Sequence, residues 1–207
     1  MSGSLEAHGV THGELYLEAL KRFQGALERI RQSGVLKEPT AGTLATADKV
    51  GWPSVRTVLL KEAGLDGFVF YTNSRSRKGR QIAQNPRAAL GFYWDAAGEQ
   101  ALIEGRIEPV SVAESDAYWR TRPRQSQIAA WASNQSSSLK NREELLAKVE
   151  SMTEKFEGKV VPRPPHWHGY RLVPDRIEFW TAKPHRLHDR LAYTYHAGRW
   201  TKTFLYP

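Results

Sequence analysis

The feature that most constrains the fold of this chain is a change in hydrophobic period near residue 40. Residues 14–33 carry an apolar stripe at spacings of three and four, which predicts an amphipathic helix that ends near Gly34. The stripe consists of Tyr16, Leu20, Phe23, Leu27 and Ile30. The segments that follow alternate apolar and polar residues and are joined by short turns, a pattern typical of antiparallel strands.

Nine strands are predicted from this alternation. They cover residues 42–48, 53–62, 67–72, 87–95, 100–110, 169–173, 176–180, 191–196 and 199–205. Further helices are predicted after the Ser111 and Glu114 capping box to about residue 121, and at residues 125–132 and 138–156, whereas the three prolines of 160–169 predict irregular structure. We therefore expect a mainly β fold with peripheral helices, an antiparallel meander curling into a barrel, as one domain over residues 14–207 after a disordered segment 1–13.

Composition limits the classes of function. The chain has no cysteine, which excludes disulfides, thiolate metal sites and cysteine nucleophiles, and its four clustered histidines lack acidic partners for a metal. No apolar run reaches membrane-spanning length, so we expect a soluble, cytoplasmic protein. The formal net charge of +8 calls for an anionic partner, either nucleic acid or a small ligand. Many basic residues lie within apolar strands instead of along one helix or tail, and this pattern favours a compact phosphate ligand over nucleic acid.

A junction between a strand and a helix is the first candidate site. Residues 68–86 read FVFYTNSRSRKGRQIAQNP, and the helix is expected to start near Ser76. Arg77 and Lys78 fall in its first turn, where cations oppose the helix dipole unless a bound anion offsets them. The pattern favours a phosphate site over a solvated basic loop.

Two further segments combine cations with other phosphate-binding side chains. Residues 54–62, SVRTVLLKE, place Arg56, Val58 and Leu60 on one strand face and Thr57, Leu59 and Lys61 on the other. Residues 118–131 combine three arginines with Tyr118 and Ser126, which suits a phosphate clamp. The alternative for residues 54–62 is that the two cations are surface residues at the strand ends. The alternative for residues 118–131 is a solvated helix junction. Each explains its segment equally well.

The fourth segment is PHRLHDRLAY, residues 184–193. If extended, it places Arg186, His188 and Arg190 on one face, where three potential cations need a negative ligand above them. An exposed polar strand is the alternative, and it is weakened by Trp180 and Leu187 nearby, which we expect to be buried.

Taken together, the segments resemble the motif series of the pyridoxamine 5′-phosphate oxidase family. They occur in the family's order and spacing from about Gly34 to Pro207, and six segments in register are a specific signal. The six read RTVLLK, FYTNSRSRKGRQI, NPRAAL, RPRQSQIAAWASNQSS, IEFW and HRLHDR. The resemblance implies an FMN-binding split β-barrel, antiparallel and Greek-key-like, that forms a homodimer with active sites shared between subunits.

The resemblance also implies the site residues. FMN would contact Arg56, Thr57, Val58, Leu59, Leu60, Lys61, Tyr71, Thr72, Arg77, Lys78, Gln100, Gln135, Ser136, Trp180 and Arg190. Arg77 and Lys78 would hold the flavin phosphate. Lys61, Tyr118, Arg122 and Ser126 would hold the substrate phosphate, and Arg186 and His188 would act at the substrate ring as the catalytic pair.

The implied reaction is the oxidation of pyridoxamine or pyridoxine 5′-phosphate by oxygen to pyridoxal 5′-phosphate, with release of hydrogen peroxide. Two departures from the family pattern stand out: residues 1–14 contain no arginine or tyrosine to close over substrate, and His168 stands where a glycine is expected. The alternatives are a split-barrel oxidase of another reduced ring such as a phenazine precursor, a flavin- or haem-binding barrel without turnover, and a basic nucleic-acid-binding barrel.

Overall fold

The protein is built on one antiparallel sheet with helices packed around it. A computed structural model describes residues 13–207. The segment expected to be disordered, residues 1–13, therefore lies outside the described residues except for Gly13. The strands are β1 Ala41–Ala47, β2 Pro53–Leu59, β3 Glu62–Gly64, β4 Gly67–Asn73, β5 Arg87–Trp94, β6 Glu99–Pro109, β7 Trp167–Thr181, β8 Asp189–His196 and β9 Arg199–Leu205. The helices are α1 Glu14–Ser33, α2 Arg77–Gln84, α3 Val112–Thr121, α4 Arg124–Ala132 and α5 Arg142–Lys155.

The strand order shows how the sheet curls. It runs β2-β1-β5-β6-β7-β4-β3, with β8 paired to β7 and β9 to β8. The first half of β7 pairs with β4 and its second half with β8, while β6 pairs along its other edge. The expected simple meander is therefore wrong, because β4 pairs with β7 instead of with β5. The result is a split, half-closed antiparallel barrel, so the predicted fold class is confirmed.

The main core lies between the sheet and α1. All five residues of the predicted α1 stripe are buried, and Phe23 packs edge-on against Phe68 at 5.1 Å between ring centroids. Apolar burial of this kind supplies most of the stability of a helix on a sheet. A second, smaller core joins α3, α4 and the loop before β7, around Trp119, Ile128 and Trp167. Within residues 13–207, no helix is both long and apolar enough to cross a lipid bilayer.

Several predicted boundaries are wrong for local reasons. The strand predicted over 53–62 ends at Leu59, and Glu62–Gly64 forms a separate hairpin with β4. The last helix begins at Arg142 and not near 138, because the Asn141 side chain accepts a hydrogen bond from the Glu144 amide and caps it. The predicted irregular segment 160–169 becomes strand at Trp167.

The two strands predicted around Pro174 are one continuous strand, β7. Pro174 lies opposite Gly105, where the register of β6 and β7 shifts in a bulge. The edge of β7 that faces away from β6 pairs with β4 up to Leu172 and with β8 from Arg176 onward. Between these two residues that edge has no partner strand. Proline is tolerated there because no ladder hydrogen bond is lost.

Candidate active site

The junction between β4 and α2 forms as the sequence predicts. The Ser76 hydroxyl accepts a hydrogen bond from the Gly79 amide at 3.3 Å and caps the helix, and Asn73 Oδ1 accepts from the Arg75 amide at 2.8 Å. The first turn of a helix has amides without intrahelical partners and a positive dipole end, so an anion is favoured there.

Three cations surround this junction, and we refer to Arg56, Arg77 and Lys78 as the cationic cluster. Lys78 is buried, and its Nζ donates to Thr72 Oγ1 at 3.2 Å and to Gln135 Oε1 at 3.1 Å. Burial, and then the neighbouring Arg56, lowers the pKa of Lys78, while burial and Arg77 lower the pKa of Arg56. Among residues 13–207, no carboxylate lies within ion-pair distance of any of the three. The cluster therefore carries a positive charge that no carboxylate of the described residues neutralises and that an anionic ligand would balance.

A second cationic feature is a cleft of about 320 Å³, which we call the aromatic cleft. The four predicted substrate-phosphate residues all line it: Lys61, Tyr118, Arg122 and Ser126. The Arg122 guanidinium lies 4.8 Å from the centre of the Trp167 ring and donates from Nη2 to the Ser126 carbonyl at 3.2 Å. Its Nε is buried and has no hydrogen-bond partner within the described chain. A buried donor without a partner is costly, which makes it a candidate for ligand binding.

Stacked rings form one wall of the aromatic cleft. The centroids of Tyr71 and Tyr118 are 4.1 Å apart at an interplanar angle of 18°, and Trp167 stacks on Tyr71 at 5.1 Å. Burial, and then the nearby Glu114, raises the pKa of Tyr71, so its hydroxyl stays protonated as a donor. Tyr71 and Thr72 are consecutive on β4 and point to opposite faces of the sheet, Tyr71 toward the aromatic cleft and Thr72 toward Lys78. This strand therefore connects the two cationic sites.

A third group lies at the ends of β6, β7 and β8, and we call Gln100, Trp180, His188 and Arg190 the strand-end group. Gln100 pairs with Trp180 across β6 and β7, and Trp180 with Arg190 across β7 and β8. The His188 ring lies 4.5 Å from that of Trp180. No hydrogen bond or ion pair of the described residues joins this group to the cationic cluster or to the aromatic cleft. One chain therefore presents the predicted site residues in separate groups.

The predicted geometry of Arg186, His188 and Arg190 is wrong. Residues 184–186 form a short turn in which His185 and Arg186 have φ of 58° and 62°, so the segment is not extended and the three do not alternate on one face. Arg190 is also not an unbalanced cation, since its Nε donates to the buried Glu178 at 2.8 Å. Leu187, expected to be buried, is 68% exposed.

The other predicted flavin residues are distributed along β2 and the loop after α4. The alternation predicted for β2 is confirmed, with Val58 and Leu60 in the core and Thr57 and Leu59 exposed. A ligand can therefore meet the first pair only through their backbone. Ser136 follows Gln135 in an exposed loop at φ 69°.

Comparison with known proteins identifies the family. The sequence matches the family model for pyridoxamine 5′-phosphate oxidase over residues 29–156, and that for the pyridoxine 5′-phosphate oxidase C-terminal dimerisation region over residues 167–207. The chain belongs to the pyridoxamine 5′-phosphate oxidase family. It is 51% identical to a pyridoxine/pyridoxamine 5′-phosphate oxidase of Alkalilimnicola ehrlichii, over 94% of this chain and 100% of the relative. It is 50% identical to one of Myxococcus xanthus over 92% of each chain.

Solved structures of related proteins have the same fold. PhzG of Burkholderia lata, solved in complex with tetrahydrophenazine-1-carboxylic acid, superposes with a TM-score of 0.84 at 36% identity over 92% of each chain. An FMN-binding protein of Nostoc punctiforme, related to pyridoxamine 5′-phosphate oxidase, superposes with a TM-score of 0.72 at 20% identity, over 90% of this chain and 96% of that protein. The same fold therefore occurs in proteins described with different ligands, tetrahydrophenazine-1-carboxylic acid for one and FMN for the other.

Sequence reasoning missed the partners that orient the family's cations. Gln81 and Thr46 are buried beside Arg56, and Glu178 is buried beside Arg190. Gln81 lies three residues after Lys78, so the helical period could have placed both on the inner face of α2. No local sequence pattern around Thr46 or Glu178 predicts a role for them, because their partners come from other parts of the chain.

Proposed function

We propose that this protein is an FMN-dependent oxidase that converts pyridoxamine 5′-phosphate and pyridoxine 5′-phosphate to pyridoxal 5′-phosphate. Oxygen is the electron acceptor, hydrogen peroxide is released, and the amine substrate also yields ammonia. The observation that carries the proposal is the presence of two separate cationic sites, the cationic cluster and the aromatic cleft, neither of which has a carboxylate partner among residues 13–207. A phosphorylated cofactor and a phosphorylated substrate would require two such sites.

The cationic cluster fits the phosphate of FMN. Arg77 and Lys78 lie at a helix start, and Lys78 is buried with no anionic partner in the part of the chain that the structure describes. Thr72 and Gln135 lie within hydrogen-bond distance of its ammonium group. No glycine-rich dinucleotide fingerprint occurs in the sequence, which favours a mononucleotide over FAD. When bound, FMN supplies the two-electron chemistry, hydride acceptance from the 4′-carbon and reoxidation by oxygen.

The aromatic cleft fits the phosphate end of the substrate. Lys61 and Arg122 supply charge, and Tyr118 and Ser126 supply hydroxyl donors. Holding this end fixes the position of the reacting carbon, and such positioning can contribute several kcal/mol to catalysis, roughly 7–11 in well-oriented intramolecular systems. Arg186 and His188 would contact the pyridine ring and orient it.

The site residues then call for a homodimer. Gln100, Trp180 and Arg190 are proposed flavin contacts, yet no hydrogen bond or ion pair of the described residues joins them to the cationic cluster; they lie at the paired ends of β6, β7 and β8. A second copy could supply them, in agreement with the dimerisation region described for residues 167–207. We propose that each active site combines the cationic cluster and aromatic cleft of one subunit with the strand-end group of its partner and with the partner's Arg186, which precedes His188 by two residues.

Oxidation of a reduced phenazine is the second candidate function. It is favoured by the similarity to PhzG, whose structure was solved with tetrahydrophenazine-1-carboxylic acid. The clamp in the aromatic cleft favours the phosphorylated substrate, because a carboxylate needs fewer donors than a phosphate.

The test is flavin content followed by peroxide release. The purified protein should be yellow, and its heat-released cofactor should run with FMN at one per subunit. Peroxide should form with pyridoxine 5′-phosphate and pyridoxamine 5′-phosphate, and far more slowly with unphosphorylated pyridoxine. A colourless protein, or FAD as the main cofactor, would refute the cofactor assignment. Faster turnover of a reduced phenazine carboxylate would establish the second candidate.

A further inference from the structure

A buried glutamine lies directly behind the cationic cluster. Gln81 is on α2, one turn after Lys78, and its side chain is 5% exposed. Its Oε1 accepts from the hydroxyls of Thr46 and Ser54, at 2.6 Å each, and from Arg56 Nη2 at 3.3 Å. One amide oxygen thus receives donors from β1 and β2, a convergence that surface glutamines rarely show.

The same network fixes the Arg56 side chain. Its Nη1 donates to the Leu44 carbonyl at 3.2 Å and to Thr46 Oγ1 at 2.6 Å, while its Nη2 donates to Ser54 Oγ and to Gln81 Oε1. The hydrogen bonds therefore run in one direction: Arg56 donates to the Thr46 and Ser54 hydroxyls, and both hydroxyls donate to Gln81. All four terminal N–H groups of Arg56 are used, and each acceptor is uncharged.

This network holds Arg56 beside two other cations without neutralising its charge. Arg56 lies close to Arg77 and Lys78, and like charges in a partly buried region repel strongly before a ligand arrives. A carboxylate partner would hold Arg56 in place but would also cancel charge that a phosphate needs. A network of neutral acceptors holds the guanidinium and leaves its charge free. Gln81 lies on the helix that carries Arg77 and Lys78, so it ties Arg56 to them.

We propose that Gln81 is a positioning residue for the cofactor phosphate: it orients Arg56 toward the anion bound at the start of α2. This inference rests on the proposed function, since it takes the anion to be the phosphate of FMN. Gln81 itself does not touch the ligand. Its effect should therefore appear in the recognition of the phosphate and not of the flavin ring.

The experiment compares FMN with riboflavin, which has the same ring and no phosphate. Dissociation constants are measured by flavin fluorescence on flavin-free protein for the wild type, Gln81→Met and Gln81→Glu. Gln81→Met keeps the volume but leaves three donors without an acceptor, so FMN binding should weaken about tenfold or more, with riboflavin changed less than about twofold. Gln81→Glu keeps an acceptor but places a carboxylate against Arg56, so FMN binding should also weaken, with riboflavin little changed, because the added negative charge cancels charge that the phosphate needs. Gln84→Met, at an exposed position of the same helix, is the matched control and should match the wild type.

The possible results separate this inference from the proposed function. If the wild type binds FMN and riboflavin equally, the phosphate assignment and this inference both fail. If the wild type prefers FMN and Gln81→Met keeps that preference, or loses both flavins equally, only the role of Gln81 is refuted. Should Gln81→Met fail to fold by circular dichroism, Ser54→Ala, which removes one hydroxyl of the same network, must reduce the preference for FMN; an unchanged preference would overturn the proposal.

Discussion

Lys78 combines burial with a charge that the rest of the described chain leaves unpaired. Its two neutral partners, Thr72 and Gln135, hold the ammonium group without neutralising it. Burial and Arg56 lower its pKa from the ordinary lysine value near 10.5, so the ligand-free site loses this proton at a lower pH than a surface lysine would. An anion binds the protonated form more tightly, and binding therefore becomes weaker as the pH rises through that lowered pKa.

We expect FMN affinity to fall as the pH rises, at a lower pH than that at which ordinary lysines titrate. The phosphate group itself stays doubly charged above about pH 6 and does not contribute to this fall. Lys78→Arg should flatten the curve because a guanidinium stays charged throughout. Fluorescence titrations across the pH range provide the check. An affinity that is independent of pH in the wild type would show that Lys78 is not a phosphate ligand.

Arg186 adopts a backbone conformation that non-glycine residues seldom take. It follows His185, and both have positive φ, which costs of order 1–3 kcal/mol for each residue and persists only where surrounding structure enforces it. His188, two residues further on, is held by its contact with the Trp180 ring, at 4.5 Å between centroids, and by the Lys183 amide, which donates to Nδ1 at 3.1 Å. This turn, and not the extended segment that the sequence predicted, would direct Arg186 and His188 toward one ligand.

Substitution should separate the role of Arg186 from that of Arg77. At saturating FMN, Arg186→Ala should lower turnover of pyridoxine 5′-phosphate by about a hundredfold or more while FMN stays bound, as expected when orientation is lost. Arg77→Ala should weaken FMN binding and reduce activity only through loss of cofactor. Steady-state kinetics with parallel flavin titrations measure both. Wild-type turnover in Arg186→Ala would show that the proposed division of roles is wrong.

The sequence was sufficient for the residues that are close together along the chain. Arg77 and Lys78 were placed at a helix start from local spacing. The same spacing grouped Tyr118 and Ser126 with three arginines, and the family resemblance selected Arg122 among them. The network behind Arg56 was not predictable, because Thr46, Ser54 and Gln81 meet only after three elements pack. Long-range hydrogen bonds leave no periodic trace in a sequence.

At the level of secondary structure, periodicity and capping predicted most helices and strands, whereas the pairing of the strands was not predicted correctly. The bounds of α1 are those predicted, since its stripe, first-turn Glu14 and Gly34 cap agree. The partner of β4 was predicted wrongly because nothing local states that residues 167–172 return to it. The continuity of β7 was missed because Pro174 suggests a break, whereas β7 continues through a bulge: it inserts Asp175 opposite the step from Glu104 to Gly105 of β6, so that Gly105 lies against Pro174.

Gly105 should therefore be hard to replace. A Cβ at this position would lie 2.8 Å from the Pro174 Cα and would also overlap the Val173 carbonyl oxygen, and these are backbone atoms that cannot move aside. Gly105→Ala should destabilise the protein by about 1–3 kcal/mol and lower Tm by roughly 3–10 °C. Gly25→Ala is the control: it lies in α1 with its nearest neighbour, the tip of Arg29, at 3.7 Å, and it should be neutral or slightly stabilising. Thermal unfolding of both variants tests the bulge, and equal Tm values would contradict its role.

At the scale of the whole molecule, the formal charge of +8 has a partial explanation in the two cationic sites. Arg56, Arg77 and Lys78 surround one site and Lys61 and Arg122 the other, without carboxylate partners in the described chain. Other arginines, such as Arg171 and Arg176, form ion pairs with glutamates and need no ligand. This distribution favours small phosphates over nucleic acid, because these five cations form two compact groups, one at a helix start and one in a cleft, instead of one continuous surface.

The separation of the site residues within one chain leads to a prediction about assembly. If one active site takes Arg122 from one subunit and Arg186 from the other, then the inactive variants Arg122→Ala and Arg186→Ala should complement each other. A mixed dimer would contain one site with both arginines and one with neither. Because half of randomly reassociated dimers are mixed and each holds one intact site, about a quarter of wild-type activity should return.

The experiment mixes the two variants under mild denaturant, removes it, and measures peroxide release beside each variant treated alone. Sedimentation should give twice 23.5 kDa for all samples. A mixture of Arg186→Ala with the double variant Arg122→Ala/Arg186→Ala is the control and should stay inactive, since no site can then recover Arg186. If the first mixture also stays inactive while mixed dimers form, or if an active flavin-loaded monomer sediments at 23.5 kDa, each site is built within one chain and the shared-site arrangement is wrong.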